Sequence, residues 1–259
     1  MSGDYTRFTF EPRRRFVAVD MQQGRVQLDS DWNEQADLQR ERTRLLTMDV
    51  RSAAWVPAVT TPNAFLVGVL PGGNLSLEPG RIYVDGRLAE IFEGEGVTYL
   101  TQPFLPVPPP LNPAIDTIVY LDLWEREVTW AEMPALLDVA LGGIDTTTRI
   151  QQVWQVKRHE QPGLTDCGVD LNALFPASAG RLTTSANAPP APDDPCILPP
   201  NAGYRGIENR LYRVEVQTGG ALGVAKFKWS RDNGSIVSRV SAIAVAGGQT
   251  RLTVNRIGR

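Results

Sequence analysis

"DTIVYLDLWEREVTW", residues 116–130, decides the fold class. Val119, Leu121 and Leu123 alternate onto one side of an extended chain, and Ile118, Tyr120, Asp122 and Trp124 onto the other, which is the period of a strand. A second such run, "TTTRIQQVWQVKRHE" (146–160), puts Ile150, Gln152, Trp154 and Val156 on one side. Upstream, "GRIYVDGRLAEIF" reads as two short strands joined at Asp85-Gly86, a pair that accepts the left-handed geometry of a tight hairpin. Downstream, the strand after "YRGIEN" turns Tyr212, Val214 and Val216 inward and Arg213, Glu215 and Gln217 outward. "AKFKWSRDNGSIVSRV" predicts a hairpin turning at Asp232-Asn233-Gly234, with Phe227 and Trp229 packed on one face, and "AIAVAGGQTRLTVNRIGR" predicts another at Gly247-Gly248. The expected fold is mainly β, a body of short antiparallel strands and hairpins.

Between these runs lie breakers. "TQPFLPVPPPLNP" (101–113) cannot be a central strand or a helix interior and reads as a stiff surface connection. "MPALLDVAL" predicts a brief helical turn closed by Gly142-Gly143. Residues 161–203 form a long Pro-rich loop carrying both cysteines, Cys167 and Cys196, which either pair across it or remain free thiols. The expected organisation is an arm and helix over 1–57, a β-rich domain over 58–160, this loop, and further hairpins over 204–259. Because the final run ends on a strand, the hairpins are expected to continue into a further C-terminal part.

The front of the chain differs. Residues 1–20 are an extended, basic arm with Tyr5, Phe8, Phe10 and Phe16, aromatics that must dock on something. Met21 to Leu28 is short and β-like. A helix is expected over about 30–54, opened by a capping box of Asp31 and Glu34 and stopped before Pro57. Between Trp32 and Leu45 its only apolar residues are Ala36 and Leu38. Yet Trp32, Ala36, Gln39, Thr43, Leu46, Val50 and Ala53 follow the alternating four-and-three spacing of a coiled-coil seam, with Gln39 and Thr43 as polar positions that would set register. Either this stripe meets another chain, or the helix lies alone on the body with one edge covered.

Composition narrows the function. No run approaches the roughly 18 apolar residues of a membrane span, and "MSGDYTRF" is polar from the start, so no membrane-spanning segment and synthesis in the cytoplasm are expected. The net charge is −3 over 259 residues, but residues 200–259 hold ten basic against three acidic side chains. Those arginines alternate with apolar residues along strands and accompany no nucleic-acid motif, so no nucleic-acid partner is expected. The single histidine, His159, leaves too few N and S donors for a Cys/His metal site. There is no G-x-S-x-G, H-E-x-x-H, phosphate loop or dinucleotide fingerprint. Glu125 and Glu127 share a strand face, as a glycosidase pair or a cation site would, and equally as ordinary solvated acids do. No catalytic residue, metal or cofactor is expected.

The opening "MSGDYTRFTFEPRRRFVAVDMQQGRVQLDSDWNEQ" resembles the start of a family of proteins encoded among components of phage-tail-like, extracellular contractile injection systems. The resemblance continues in "ALGGIDTTTRIQQVWQV", "DPCILPPNAGYRGIENRLYRVEV" and "FKWSRDNGSIV". Gly24-Arg25-Val26 followed by Asn33-Glu34-Gln35 is also similar to the start of some tail-fibre and baseplate-attached proteins, which have Glu-Leu where this chain has Asp31-Trp32. The resemblance implies a non-enzymatic structural part of a contractile particle, at the baseplate, fibre or spike, that can be released extracellularly with it. It implies other particle subunits as partners and a homo-oligomer, with a trimer favoured. The attaching segment would comprise Tyr5, Phe8 and Phe10 of the arm, the Met21, Gln22, Gln23, Gly24 and Arg25 run, Trp32, Asn33, Glu34 and Gln35, and the seam residues Gln39, Thr43, Leu46 and Val50. The other function class the residues allow is a carbohydrate-binding or adhesin-type β module stacking sugars on Trp124, Trp130, Trp154 or Trp229.

Overall fold

The computed structural model describes residues 3–170, 173, 175–182, 211–236, 238 and 240–254. It is mainly β, with one long helix, as expected. In chain order the elements are helix α1 (Asp29–Val50), β1 (Ala54–Trp55), β2 (Val67–Leu70), β3 (Asn74–Leu77), β4 (Gly80–Val84), β5 (Arg87–Ile91), β6 (Thr117–Val128), β7 (Leu137–Asp138), β8 (Ile144–Asp145), β9 (Arg149–Glu160), β10 (Arg213–Thr218), β11 (Lys226–Ser230), β12 (Val240–Ala246) and β13 (Gln249–Val254). Every strand pairing described is antiparallel.

The long ribbon β6–β9 organises the body. It pairs without a slip from Thr117↔Glu160 to Val128↔Arg149, a length of about 40 Å at some 3.3 Å per residue. That register puts Val119, Leu121, Leu123, Glu125 and Glu127 on one face with Ile150, Gln152, Trp154 and Val156. The apolar half packs with Leu75, Leu77, Ile91 and Tyr99 to form the core. Trp154 sits edge-on to Phe65 at 5.2 Å and donates its indole N–H to the carbonyl of Glu90 at 3.1 Å. The other half of the same face carries polar residues towards α1 and the arm.

Buried Gln102 closes the outer edge of β9. Its amide nitrogen donates to the carbonyls of Val156 (2.9 Å) and Tyr99 (2.8 Å), and its oxygen accepts from the Val156 N–H at 2.7 Å. One side chain thus does what a neighbouring strand would do for both peptide groups of Val156. The Pro-rich stretch 101–113, expected as a surface connection, supplies Phe104 to the Trp154 ring and the Pro109 carbonyl to the Tyr99 hydroxyl. Burial pushes the Tyr99 phenol above its ordinary pKa, against the opposing charge of Arg158.

The Asp85-Gly86 hairpin forms as expected, both residues at positive φ, and Gly247-Gly248 turns β12 into β13 in the same way. Other expectations need correction. The helix ends at Val50, not near residue 54, because Ala54–Trp55 joins the β4–β5 sheet as β1 and Trp55 stacks on Tyr83 at 4.3 Å. The brief helical turn expected in "MPALLDVAL" (133–141) does form, as a 3₁₀ helix over Pro134–Leu136, but it leads into the small β7–β8 hairpin, and Gly142 and Gly143 lie in that hairpin's loop instead of closing the turn. Among the described residues β11 pairs with β10 and not with those after Gly234, and Asp232-Asn233-Gly234 is a turn following the strand. Residues 183–203 of the long loop, with Cys196, lie outside the described residues, and Cys167 is exposed.

The C-terminal ribbons also differ in burial. Register places Tyr212, Val214, Val216, Phe227 and Trp229 on one side of β10–β11 as expected, but all five are exposed among the described residues. Their reverse side carries an Arg213–Glu215–Lys228 ion network.

Candidate assembly surface

The arm wraps α1. Near its start, the Gly3 carbonyl accepts from the side-chain amide of buried Asn233 at 3.1 Å. Tyr5 donates its hydroxyl to Glu127, lies 2.6 Å from the Thr148 hydroxyl, and its ring meets Phe8 at 5.5 Å. Thr6 donates its backbone N–H and hydroxyl to Asp29 at 2.9 and 2.6 Å, and Thr9 donates to Glu34. A 3₁₀ turn at Pro12–Arg14, closed by Arg15 in the left-handed region, reverses the arm. On the way back the Val19 N–H donates to the Gln35 side chain at 2.7 Å.

Met21 to Leu28 then contains a β-turn, not the expected strand. The Arg25 N–H donates to the Gln22 carbonyl at 3.2 Å, with Gly24 at φ 71°. Met21, Gln22, Gln23, Gly24 and Arg25 are all exposed on it. At the helix entrance Leu28 occupies the cap position and has no side-chain acceptor, so only half of a capping box exists: Asp31 accepts from the Leu28 N–H at 3.2 Å. Asp29 instead belongs to the arm contact. Burial acts to raise its pKa, but the hydrogen bonds from Thr6 outweigh it and leave the carboxyl below its ordinary value.

The helix is held to the body by its polar side. Arg44 binds Glu41 at 2.9 Å and reaches Asp85 at the β4–β5 tip at 3.1 Å. Arg87 binds Asp85 at 2.7 Å and approaches Glu125 at 3.8 Å. Arg40 pairs with Asp37 and lies 4.0 Å from Glu125. The hydrogen bond from Arg44 lowers the Glu41 pKa, and the same contact raises that of Arg44. Gly86 presses on the backbone of Arg44 so closely that a β-carbon there would overlap its carbonyl. Between Phe10, α1, the β4–β5 tip and the ribbon runs a groove of about 650 Å³ lined by charges of both signs. Among the described residues no group of His, Cys, Asp or Glu is arranged to hold a metal ion.

The seam residues lie along the open walls of such grooves: Ala36, Gln39 and Thr43 line the one at Phe10, and Leu46 and Val50 a second beside Trp55 and Tyr83. Trp32, Ala36, Gln39, Thr43, Leu46 and Val50 are all exposed, Trp32 at 68%, Leu46 at 62% and Val50 at 67%. Ala53, the seventh expected seam residue, lies beyond the helix end. Asn33, Glu34 and Gln35 are half-buried under the arm, and Phe10 lines the groove while Phe8 stays open. The structure therefore separates the expected attachment residues into two sets. Glu34 and Gln35 hold the arm to its own helix and Tyr5 holds it to the ribbon at Glu127 and Thr148, whereas Phe8, Met21 and the seam residues stay exposed. Sequence reasoning missed Asp29, Asp85 and Asn233 as arm and helix anchors; their partners lie 23, 41 and 230 positions away along the chain.

Residues 1–177 and 169–257 match the family of unknown function DUF6519. The chain belongs to that family. The two DUF6519 matches together take in the arm, the helix and every strand described. No curated protein and no solved structure matches the chain.

Proposed function

We propose that this DUF6519 chain is a non-enzymatic structural component of a phage-tail-like contractile injection system, attached at the baseplate or tail periphery through residues 1–57. The observation that carries an attachment role is the inverted helix. A surface helix normally buries its apolar stripe on its own domain and shows charge to water. Here ion pairs join the helix to the body while Trp32, Leu46 and Val50 of the stripe stay exposed, as do Phe16, Val17, Met21 and Val26 of the segment before it. Such an apolar surface on one element is what a subunit interface needs. The contractile-particle assignment draws its support from the "MSGDYTRFTF" and "MQQGRVQLDSDWNEQ" resemblance. Partners are other particle subunits, and a homo-oligomer completes the picture.

Affinity-tagged chains with and without residues 1–57, expressed alongside the particle genes, test the proposal. Only the longer chain is expected to co-purify with tail-like particles. Equal recovery of both, or of neither, overturns it.

A second reading, a carbohydrate-binding module, has one observation in its favour. Tyr212 and Trp229 stack at 6.2 Å with an interplanar angle of 29°, both more than half exposed. Trp154, by contrast, is buried and Lys157 covers the face of Trp124. Glycan-array binding by the chain that disappears in Trp229→Ala would favour this module.

Glu125 and Glu127 are each committed to arm or helix contacts, the first near Arg40 and Arg87 and the second to Tyr5 and Thr148. They serve the attachment of α1 and the arm to the ribbon.

A further inference from the structure

We infer that the loop over residues 10–18 is a recognition finger whose Arg13, Arg14 and Arg15 bind a cluster of carboxylates on a partner protein. The inference rests on residues 1–57 being the attachment segment and names the chemistry of the face they meet. The loop is built to be presented. Thr9 donates to Glu34, and the Val19 N–H donates to Gln35 at 2.7 Å, so its two ends are pinned to consecutive residues of α1. A loop of this length with its ends held together is an Ω-type loop, a form that frequently carries function. Its tip, the 3₁₀ turn Pro12–Arg14, is ordered from within. Pro12 fixes φ at the start, the Glu11 side chain accepts from the Arg13 N–H at 3.1 Å, and the Arg15 N–H donates to the Pro12 carbonyl at 3.1 Å. Arg15 itself lies at φ 59°, the left-handed region where a residue with a β-carbon is strained. No ion pair or side-chain hydrogen bond of Arg15 among the described residues offsets that strain.

Charge selects the partner. Arg40, Arg44, Arg87, Arg126 and Arg158 on the helix and body each meet a carboxylate of this chain. Arg13, Arg14 and Arg15 are exposed and meet none among the described residues. A fixed turn thus holds three like charges together, and opposite charge on a partner relieves their repulsion. Each guanidinium is a planar fork of donors that matches a carboxylate, and arginine is enriched at protein interfaces. Phe16 and Val17, 54% and 75% exposed directly after the turn, supply the apolar contact that such an interface places at its centre. An extended polyanion fits less well. Binding to anionic lipid calls for clusters of about four to eight basic side chains. The chain as a whole carries −3, and residues 59–199 hold seventeen acidic against seven basic side chains, which a broad anionic surface repels. A carboxylate cluster on a folded protein meets only the finger.

The test uses the full chain in two settings. Purified, it is expected to bind immobilised poly-glutamate in a salt-sensitive way. Replacing Arg13, Arg14 and Arg15 together by Gln should weaken that binding roughly tenfold or more, whereas Lys226→Gln with Arg251→Gln, exposed cations elsewhere, should leave it within twofold. Tighter Arg13–Arg15-dependent binding to phosphatidylglycerol vesicles or to duplex DNA overturns the inference. Co-expressed with the particle genes, a chain carrying photoreactive p-benzoylphenylalanine in place of Phe16 is expected to cross-link to a particle protein. Exchanging the Asp and Glu residues around that cross-link for Lys should restore attachment of a chain with Arg13, Arg14 and Arg15 changed to Glu. A cross-link to a surface without carboxylates overturns the inference. If the Arg→Gln chain enters particles as the wild type does, while a chain lacking 1–57 does not, this inference fails and the attachment proposal stands. If neither wild type nor variant enters particles but only the wild type holds poly-glutamate, the reverse is true.

Discussion

Asp85, at the tip of the β4–β5 hairpin, accepts a hydrogen bond from Arg44 of α1 at 3.1 Å, and the next residue, Gly86, lies against the Arg44 backbone. Charge and close packing meet at one point, and they differ in weight. Asp85 is half exposed, so Asp85→Ala is expected to cost only about 0–1 kcal/mol. Gly86→Val forces a branched side chain to φ 71° and into the helix carbonyl, and should cost about 2–4 kcal/mol. Urea denaturation of the two variants checks the order; a larger loss in Asp85→Ala would show that the ion pairs, not the close approach, seat the helix.

Gln102→Leu strips three hydrogen bonds from buried backbone at Val156 and Tyr99 while keeping most of the side-chain volume. Because those peptide groups would be left without partners inside the core, a loss of about 2–4 kcal/mol is expected. A change within about 0.5 kcal/mol, the scatter of ordinary surface substitutions, would mean the β9 edge finds other partners.

Acid should release the arm and loosen the helix. Asp29 and Glu41 both have carboxyl pKa values lowered by folding, Asp29 through Thr6 and Glu41 through Arg44. A lowered carboxyl pKa stabilises the fold above the ordinary carboxylate range, and that contribution disappears as pH falls through the range and below it. Limited proteolysis at residues 7–20, with an acid-tolerant protease, is expected to accelerate on acidification, and less so in Asp29→Asn, which has nothing left to titrate. Cleavage rates independent of pH would contradict it.

Local chemistry made much of this fold legible. The Asp85-Gly86 and Gly247-Gly248 hairpins needed only turn residues between alternating runs, and β6 and β9 needed only their alternation. The errors came where two local preferences competed. Pro57 marked a helix stop, but Trp55 gained more by stacking on Tyr83 than by extending α1. Asp232-Asn233-Gly234 is a sound turn, yet β11 took β10 as its partner, with Lys228 and Arg213 closing on Glu215. The seam was visible as spacing alone, whereas the polar docking of the opposite side was not, since Asp85 lies in a hairpin 41 residues from Arg44. Gln102 carried no signal at all, because a glutamine that substitutes for a strand looks like any other glutamine in sequence.

The inverted helix makes a sharp prediction about stability. In an ordinary amphipathic helix, truncating Leu46 would open a core cavity and cost about 2–5 kcal/mol. Leu46 is 62% exposed here, so in the dissociated chain Leu46→Ala should cost about 0.5 kcal/mol or less. Leu38 is buried and should follow the core rule, with Leu38→Ala losing about 2–4 kcal/mol. Thermal melts at high dilution compare the two directly. At higher concentration the wild-type melting temperature should rise as protomers associate, since association stabilises the folded state by mass action, and Leu46→Ala should lose most of that rise. Equal losses in the two variants at high dilution would mean that α1 turns in solution to bury the stripe on its own body, and the outward surface would not exist.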